Sequence, residues 1–271
     1  MIRNSQLLFA VALLLLAAPA FGQSTNDDFT LSLGIFPTNF GTSAALSSDD
    51  ADQDPTEVDL ENDLGFDNRL SNVRLEGLWR FRPKHRLEFA WTSWRRDTEK
   101  VIERQIVWRD KVFDAGVNVS AENNAQFIKL AYHYSLYRTD RTEFDVSGGF
   151  DIIWNTTTLA GEATLVGEGG EASRFYEDEY DFVAPAPVIG IGVSHLITPQ
   201  WLLRGTGEYF TATVDNTTAK VADFRGSVDW LFAQNWAAGL GYNYVGFKVE
   251  RERFDAQYDF NGPILYFTWR R

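Results

Sequence analysis

The chain has 271 residues, no cysteine and a formal charge of −13. That acidic balance excludes a surface built for nonspecific nucleic-acid binding, which needs cationic side chains. The lack of cysteine excludes disulfides and thiolate chemistry.

In chain order, Arg3 precedes an apolar run from Leu7 to Ala18, twelve residues against the ~20 of a membrane-spanning helix. The small-residue stretch Ala18-Pro-Ala20-Phe-Gly22 follows. Residues 1–22 read as a secretory signal peptide cut after Gly22, with Ala20 as the alternative site, leaving 23–271 as a single domain. A first strand is expected near Phe29 to Phe36. The next connection carries Asp49, Asp50, Asp52, Asp54, Glu57, Asp59, Glu61, Asp63 and Asp67, opposed by Arg69. Carboxylate oxygens suit Ca²⁺ or Mg²⁺, but the spacing does not match the twelve-residue calcium loop, so a divalent-cation loop stands beside a plain solvated one.

The following segments alternate with period 2. Val73, Leu75, Gly77, Trp79 and Phe81 form one apolar face, and Arg82-Pro83-Lys84-His85 makes a polar turn before Leu87, Phe89 and Trp91 resume it. Ile128 to Leu136 turns through Arg138-Thr-Asp-Arg141 into Phe144 to Ile152. Ile189 to Val193 turns through Thr198-Pro-Gln200 into Trp201 to Tyr209, and Phe224 to Trp230 turns through Ala233-Gln-Asn235 into Trp236 to Tyr244. A last strand runs from Pro263 to Trp269. No stretch after residue 22 repeats apolar residues at helical spacing, so the chain is all-β.

Short turns at one end and long connections at the other, near 38–70, 97–122, 155–180, 213–220 and 249–261, are the pattern of a transmembrane antiparallel β-barrel, with short periplasmic turns and long extracellular loops. Ten strands are expected, with eight or twelve as alternatives because Ile102 to Trp108 and Val112 to Val119 also look β-like. In hydrocarbon an open sheet edge would leave amides unpaired, so such a sheet must close. Phe81, Trp201, Trp230, Trp236 and Trp269 are expected in the periplasmic interface belt of a monomeric barrel in the bacterial outer membrane.

With the apolar face toward lipid, the opposite parity lines the lumen: Arg74, Glu76, Arg80, Glu88, Lys129, His133, Glu143, Asp145, Asp151, Arg204, Glu208, Asp223, Arg225 and Asp229. Buried charges need partners. Those expected from neighbouring strands are Arg74 and Arg80 with Glu88, Lys129 with Glu143 or Asp145, and Arg204 with Asp223 or Asp229. The lumen is then either plugged by such pairs or a narrow polar conduit. Catalysis is not expected: His85 and His195 sit at turns, and His133 with Ser135 at i,i+2 on one strand does not make a catalytic couple. No phosphate-cradling loop or transition-metal cluster is present, so no cofactor beyond the cation loop is expected.

The terminal Tyr266-Phe-Thr-Trp269 resembles the assembly signal of bacterial outer-membrane β-barrels, which implies recognition by the barrel-insertion machinery. That aromatic is normally the last residue, whereas Arg270 and Arg271 follow here; either they weaken recognition or they emerge into the periplasm. Asp59-Leu-Glu-Asn-Asp-Leu-Gly65-Phe and Arg80-Phe-Arg-Pro-Lys-His85-Arg-Leu-Glu-Phe89 resemble an uncharacterised porin-like proteobacterial family, a likeness that implies no substrate. Two tasks are open to such a barrel. One is a narrow porin or channel for small polar solutes; the other is a structural or surface-interaction barrel with a plugged lumen. An outer-membrane enzyme is the third and least supported. The expected partners are outer-membrane lipids and lipopolysaccharide.

Overall fold

The computed structural model describes residues 27–46, 56–165, 173–214, 216–251 and 254–271. The signal segment expected at 1–22 lies outside them. The strands are β1 (Phe29–Leu46), β2 (Val58–Asp59), β3 (Arg69–Arg82), β4 (His85–Val101), β5 (Ile106–Trp108), β6 (Lys111–Phe113), β7 (Asn118–Arg138), β8 (Thr142–Leu165), β9 (Arg174–Thr198), β10 (Trp201–Val214), β11 (Thr217–Ala233), β12 (Trp236–Arg251) and β13 (Phe254–Arg270). Ten of them form an antiparallel ring, β1-β3-β4-β7-β8-β9-β10-β11-β12-β13, which closes where β13 pairs with β1. β2 adds to β1, and the β5–β6 hairpin adds to the external end of β8.

The turns fall at 83–84, 139–141, 199–200 and 234–235, all at one end of the ring. From there the outward parity is apolar and uncovered: Leu33 is 58 % exposed and Ile191 69 %. Such a belt in water would forfeit its transfer free energy on every strand; against lipid it does not. Trp79, Phe81, Trp201, Trp236 and Trp269 ring its lower rim, and Trp154, Tyr209 and Tyr242 stand near its upper rim, the two aromatic girdles of a spanning barrel.

The strands do not stop at the upper rim. β9 has 25 residues, about 80 Å at ~3.3 Å per residue, whereas a spanning strand needs only about 9–11. Among the described residues, the connections expected at 155–180, 213–220 and 249–261 are therefore mostly strand, with β8 running to Leu165, β9 from Arg174, β10 to Val214, β11 from Thr217, β12 to Arg251 and β13 from Phe254. The physical reason lies in the solvent. On β8 beyond the belt, Asn155, Thr157 and Leu159 point inward, and Thr156, Thr158 and Glu162 point to water. Without lipid on one side, polar and apolar residues no longer alternate.

Ring pairing ends at Arg74–Thr92 between β3 and β4, and at Ile189–Tyr209 between β9 and β10. Above these points the wall continues as two facing sheets, β4-β7-β8-β9 and β10-β11-β12-β13-β1-β3, the last through Arg69 to Val73. Prolines explain the second seam. β8–β9 pairing passes Pro185 and Pro187 without a break, so the side on which each lacks an N–H is the side of β10. The same logic applies at the closing seam. There Pro37 pairs with β3 and Pro263 with β12, while β1–β13 pairing is interrupted between Ile35–Leu265 and Asn39–Asn261. Gly262 is required at that point: a Cβ on it would lie 2.0 Å from the Pro37 carbonyl oxygen.

The two sheets enclose an aromatic core. Trp94, Phe127 and Ile153 from one sheet meet Phe36, Phe40, Phe247, Tyr258 and Phe260 from the other, all buried. Ring centroids lie 5.3 Å apart for Phe40–Trp94 and Trp94–Phe260, and 5.4 Å for the edge-on pair Phe127–Phe260, distances at which aromatic pairs attract. A second cluster caps the mouth. Leu60, Leu64 and Phe66 of the first connection pack with Ile102, Ile106, Trp108 and Phe113 of the second. The charged lining expected from parity is concentrated in the periplasmic half; above it the interior is mainly apolar, with the buried pairs Arg96–Glu61 and Lys111–Asp178 toward the mouth.

Candidate functional site

Inward parity on strands feeding the four turns brings the expected lumen residues together below the aromatic core. Arg74, Arg80, Lys129, His133, Glu143, Asp145, Asp151, Glu208, Asp223 and Asp229 are buried, and Glu76, Glu88, Arg204 and Arg225 are partly so. Many of the partners differ from the expected ones. Arg80 makes a bidentate pair with Glu143, at 3.0 and 2.7 Å, rather than with Glu88. Glu88 accepts from His133 Nε2 at 2.8 Å. Arg225 grips Glu76, which Arg74 Nε also meets at 3.4 Å. Arg204 Nε lies 2.7 Å from Asp229, whose other oxygen accepts from Tyr266 Oη. In so narrow a ring a carboxylate across the lumen is as near as one on the adjacent strand. Contacts this tight leave no room for a side chain at Gly239, where a Cβ would lie 2.3 Å from the Tyr266 ring and 2.4 Å from Asp229.

Lys129 holds the centre. Its Nζ touches Glu208, lies 2.6 Å from Asp223 and 3.5 Å from Asp151, and does not contact Glu143 or Asp145 as expected. Those three carboxylates offer oxygens within 4.8 Å of one another, an arrangement a metal ion could use, but the ammonium already stands among them. Ser147 and Asn243 complete Glu208 and Asp223 by hydrogen bonds of 2.8 and 2.9 Å.

His133 Nδ1 lies 2.7 Å from Asp145 and its Nε2 faces Glu88. Both nitrogens meet acceptors, so neither is free to take a proton from a nucleophile. Ser135 donates to Glu143 instead. His85 Nδ1 meets Tyr132 Oη at 2.6 Å, and His195 Nδ1 meets Thr142 Oγ1 at 2.9 Å, both at the periplasmic rim.

Besides Ser147, Asn243 and Asp27, three larger participants were missed. Arg86 is buried against Asp145 and Glu143, and its parity beside Leu87 could have placed it. Arg270 does not emerge into the periplasm: it is buried, with Nη2 2.8 Å from Asp27, and so ties the chain's two ends at the closing seam. Its neighbour Trp269 faces lipid, which makes inward parity legible there too. Tyr266, an aromatic on the inward face, carried no such signal. A cavity of about 80 Å³ remains in this layer, beside Arg86, Glu88, His133, Arg204 and Arg225.

At the external mouth, Asp49, Asp50, Asp52 and Asp54 lie outside the described residues. Asp59 accepts from Asn62, and Glu61 from Arg96 and the Thr42 amide. Asp63 accepts from Arg104 and from the Asp59 amide at 2.8 Å, and the Glu57 carbonyl accepts from Arg104 at 2.6 Å. Among the described residues, then, Glu61 staples the cap to the wall, and Asp63 and the Glu57 carbonyl tie its two connections together through Arg104. Hydrogen bonds from Arg104 hold the Asp63 carboxyl below its ordinary value of 3.8 and raise Arg104. A depressed carboxyl stabilises the fold above its unfolded value and loses that contribution as pH falls through the folded one. Hydrogen exchange in 57–66 and 102–117 is therefore expected to rise as pH falls below the ordinary carboxyl value of 3.8, and in Arg104→Gln at neutral pH. Arg104 is about half exposed, so the effect is on the order of 1 kcal/mol or less. An acid-insensitive cap would count against the staple.

No family model matches the chain, and no curated protein matches it. Among solved structures it is similar to the outer membrane protease OmpT from Escherichia coli, with a TM-score of 0.58 and 10% identity over 92% of this chain and 98% of that one. Also similar are the translocator domain of the autotransporter NalP from Neisseria meningitidis (TM-score 0.47, 9% identity, 99% and 97% covered) and the toluene transporter TodX from Pseudomonas putida (0.38, 9%, 95% and 93%). At these identities the likeness is one of fold alone. The protein has the closed antiparallel barrel of bacterial outer-membrane proteins, and its apolar outer belt between two aromatic girdles seats it in that membrane.

Proposed function

We propose that the protein is a plugged, non-enzymatic outer-membrane barrel that serves as an anchor, carrying its extracellular two-sheet extension as an interaction surface. One observation carries this reading. The interior is filled in succession by the paired-charge layer, the aromatic core and the hydrophobic cap. A conduit for polar solutes needs a continuous wetted path with ions able to leave their sites; here each charged group is engaged by its neighbours. The engagement of both His133 nitrogens and of Ser135 likewise speaks against nucleophilic catalysis. The porin reading makes the opposite forecast in planar bilayers. The full barrel is expected to show no discrete conductance across voltage and salt, including after Arg204→Glu or Asp229→Asn. Steady unit conductance that changes with those substitutions would establish a channel and overturn the anchor.

A further inference from the structure

The two seams in the extracellular wall differ in one respect. Above Arg74–Thr92, side chains of β4 tie that strand to the first connection. Thr98 Oγ1 donates to the Leu64 and Gly65 carbonyls, Lys100 Nζ to the Asn62 carbonyl, and Arg96 to Glu61. Above Ile189–Tyr209 the free side of β9 has no strand beside it among the described residues, although β8 pairs with its other side up to Arg174. Pro185 and Pro187 turn their imino nitrogens to this seam. Residues in step with them, Phe175, Glu177, Glu179, Asp181 and Val183, therefore turn their amides and carbonyls to it as well. The same five side chains stand on the outer face, exposed, so a row of backbone groups with no strand partner among the described residues runs beside a ladder of carboxylates at alternate positions.

We propose that this edge accepts an extended cationic peptide as an added strand. The inference rests on the reading of the extracellular extension as an interaction surface and names its partner. Backbone pairing would supply affinity, and alternate side chains the specificity. A lysine or arginine at every second position of the incoming strand would face Glu177, Glu179 and Asp181, the spacing strand geometry imposes. The opposite wall of the seam, Thr211 and Thr213 of β10, is uncharged and offers no competing cation. Acidic residues on an edge also deter self-pairing. In an antiparallel pair of β9 strands the three carboxylates would meet their copies, which disfavours a second copy of this chain as occupant.

The test uses the full barrel in nanodiscs and a synthetic peptide of alternating lysine and valine. Binding by fluorescence anisotropy is expected, with slowed hydrogen exchange at the amides of residues 177, 179, 181 and 183. Raised salt weakens binding. The variant Glu177→Gln/Glu179→Gln/Asp181→Asn, altered only at exposed positions, is expected to bind at least tenfold more weakly while keeping heat-modifiable migration. Alternating glutamate and valine should not bind. A lysine peptide interrupted by proline should lose both binding and protection. Equal binding by that interrupted peptide would mean adsorption without strand pairing and overturns the proposal, as does no binding or no protection of β9. Conductance of the same preparation separates the two failures: a conducting barrel refutes the anchor reading, and a silent barrel that ignores the peptide refutes this edge alone.

Discussion

Lys129→Met is expected to destabilise the barrel by about 3–5 kcal/mol, the cost of removing one partner from a buried ionic cluster. Methionine approximates the lysine stem but leaves Asp151, Glu208 and Asp223 facing one another without a cation. Asp151 is the most dependent of the three. Neither of its oxygens has a hydrogen bond, and its contact with Lys129 at 3.5 Å is what balances its charge. Glu208 and Asp223 keep Ser147 and Asn243. The measurements are the urea midpoint in lipid and the temperature at which the compact band converts on a gel. Adding Asp151→Asn to Lys129→Met should recover part of the loss, because it removes one of the stranded charges. A single variant within about 1 kcal/mol of the parent, in the range of exposed ion pairs, would show that water reaches this layer freely and that the cluster is not sealed.

Phe260→Ala is expected to cost a similar amount by another mechanism, about 3–5 kcal/mol for a buried phenylalanine whose surroundings cannot fully collapse. Phe260 is buried and touches Trp94, Phe127 and Phe40, so it bridges the two sheets. The void it leaves would have the charged layer beneath it and the cap of Leu60, Phe66 and Trp108 above. Stability and conduction are therefore expected to separate, with a lower urea midpoint and bilayers that stay silent. Discrete conductance in this variant would identify the aromatic core as the sole seal. A negligible change in midpoint would mean that the two sheets do not press on it.

The amino-acid sequence by itself determined the lower half of this protein. Lipid demands an apolar outer face at every second residue, so Val73 to Phe81 or Leu87 to Trp91 could be read as strands, and Pro83-Lys84 and Pro199-Gln200 as the turns between them. The same parity pointed Arg74, Lys129, Asp151 and Asp229 inward, and the ring strand count followed from the turns. Which charge meets which was not legible. Arg80 reaches Glu143, and Lys129 gathers Asp151, Glu208 and Asp223, because closure brings distant strands to hydrogen-bonding distance, and pairing across a lumen leaves no trace in the spacing of residues. Nor was the extracellular half legible. Above the membrane both faces of β8 and β9 lose the contrast that lipid imposes, so Thr156 to Glu162 and Glu177 to Asp181 resembled loops. Only the tertiary structure decided that these segments continue as strands, that Phe36, Phe127 and Phe260 fill the space between two sheets, and that Pro185 and Pro187 part β9 from β10. The reason is the same in each case: burial between sheets and the side on which a strand finds its partner are set by elements far apart in the chain, whereas the lipid acts on each strand alone.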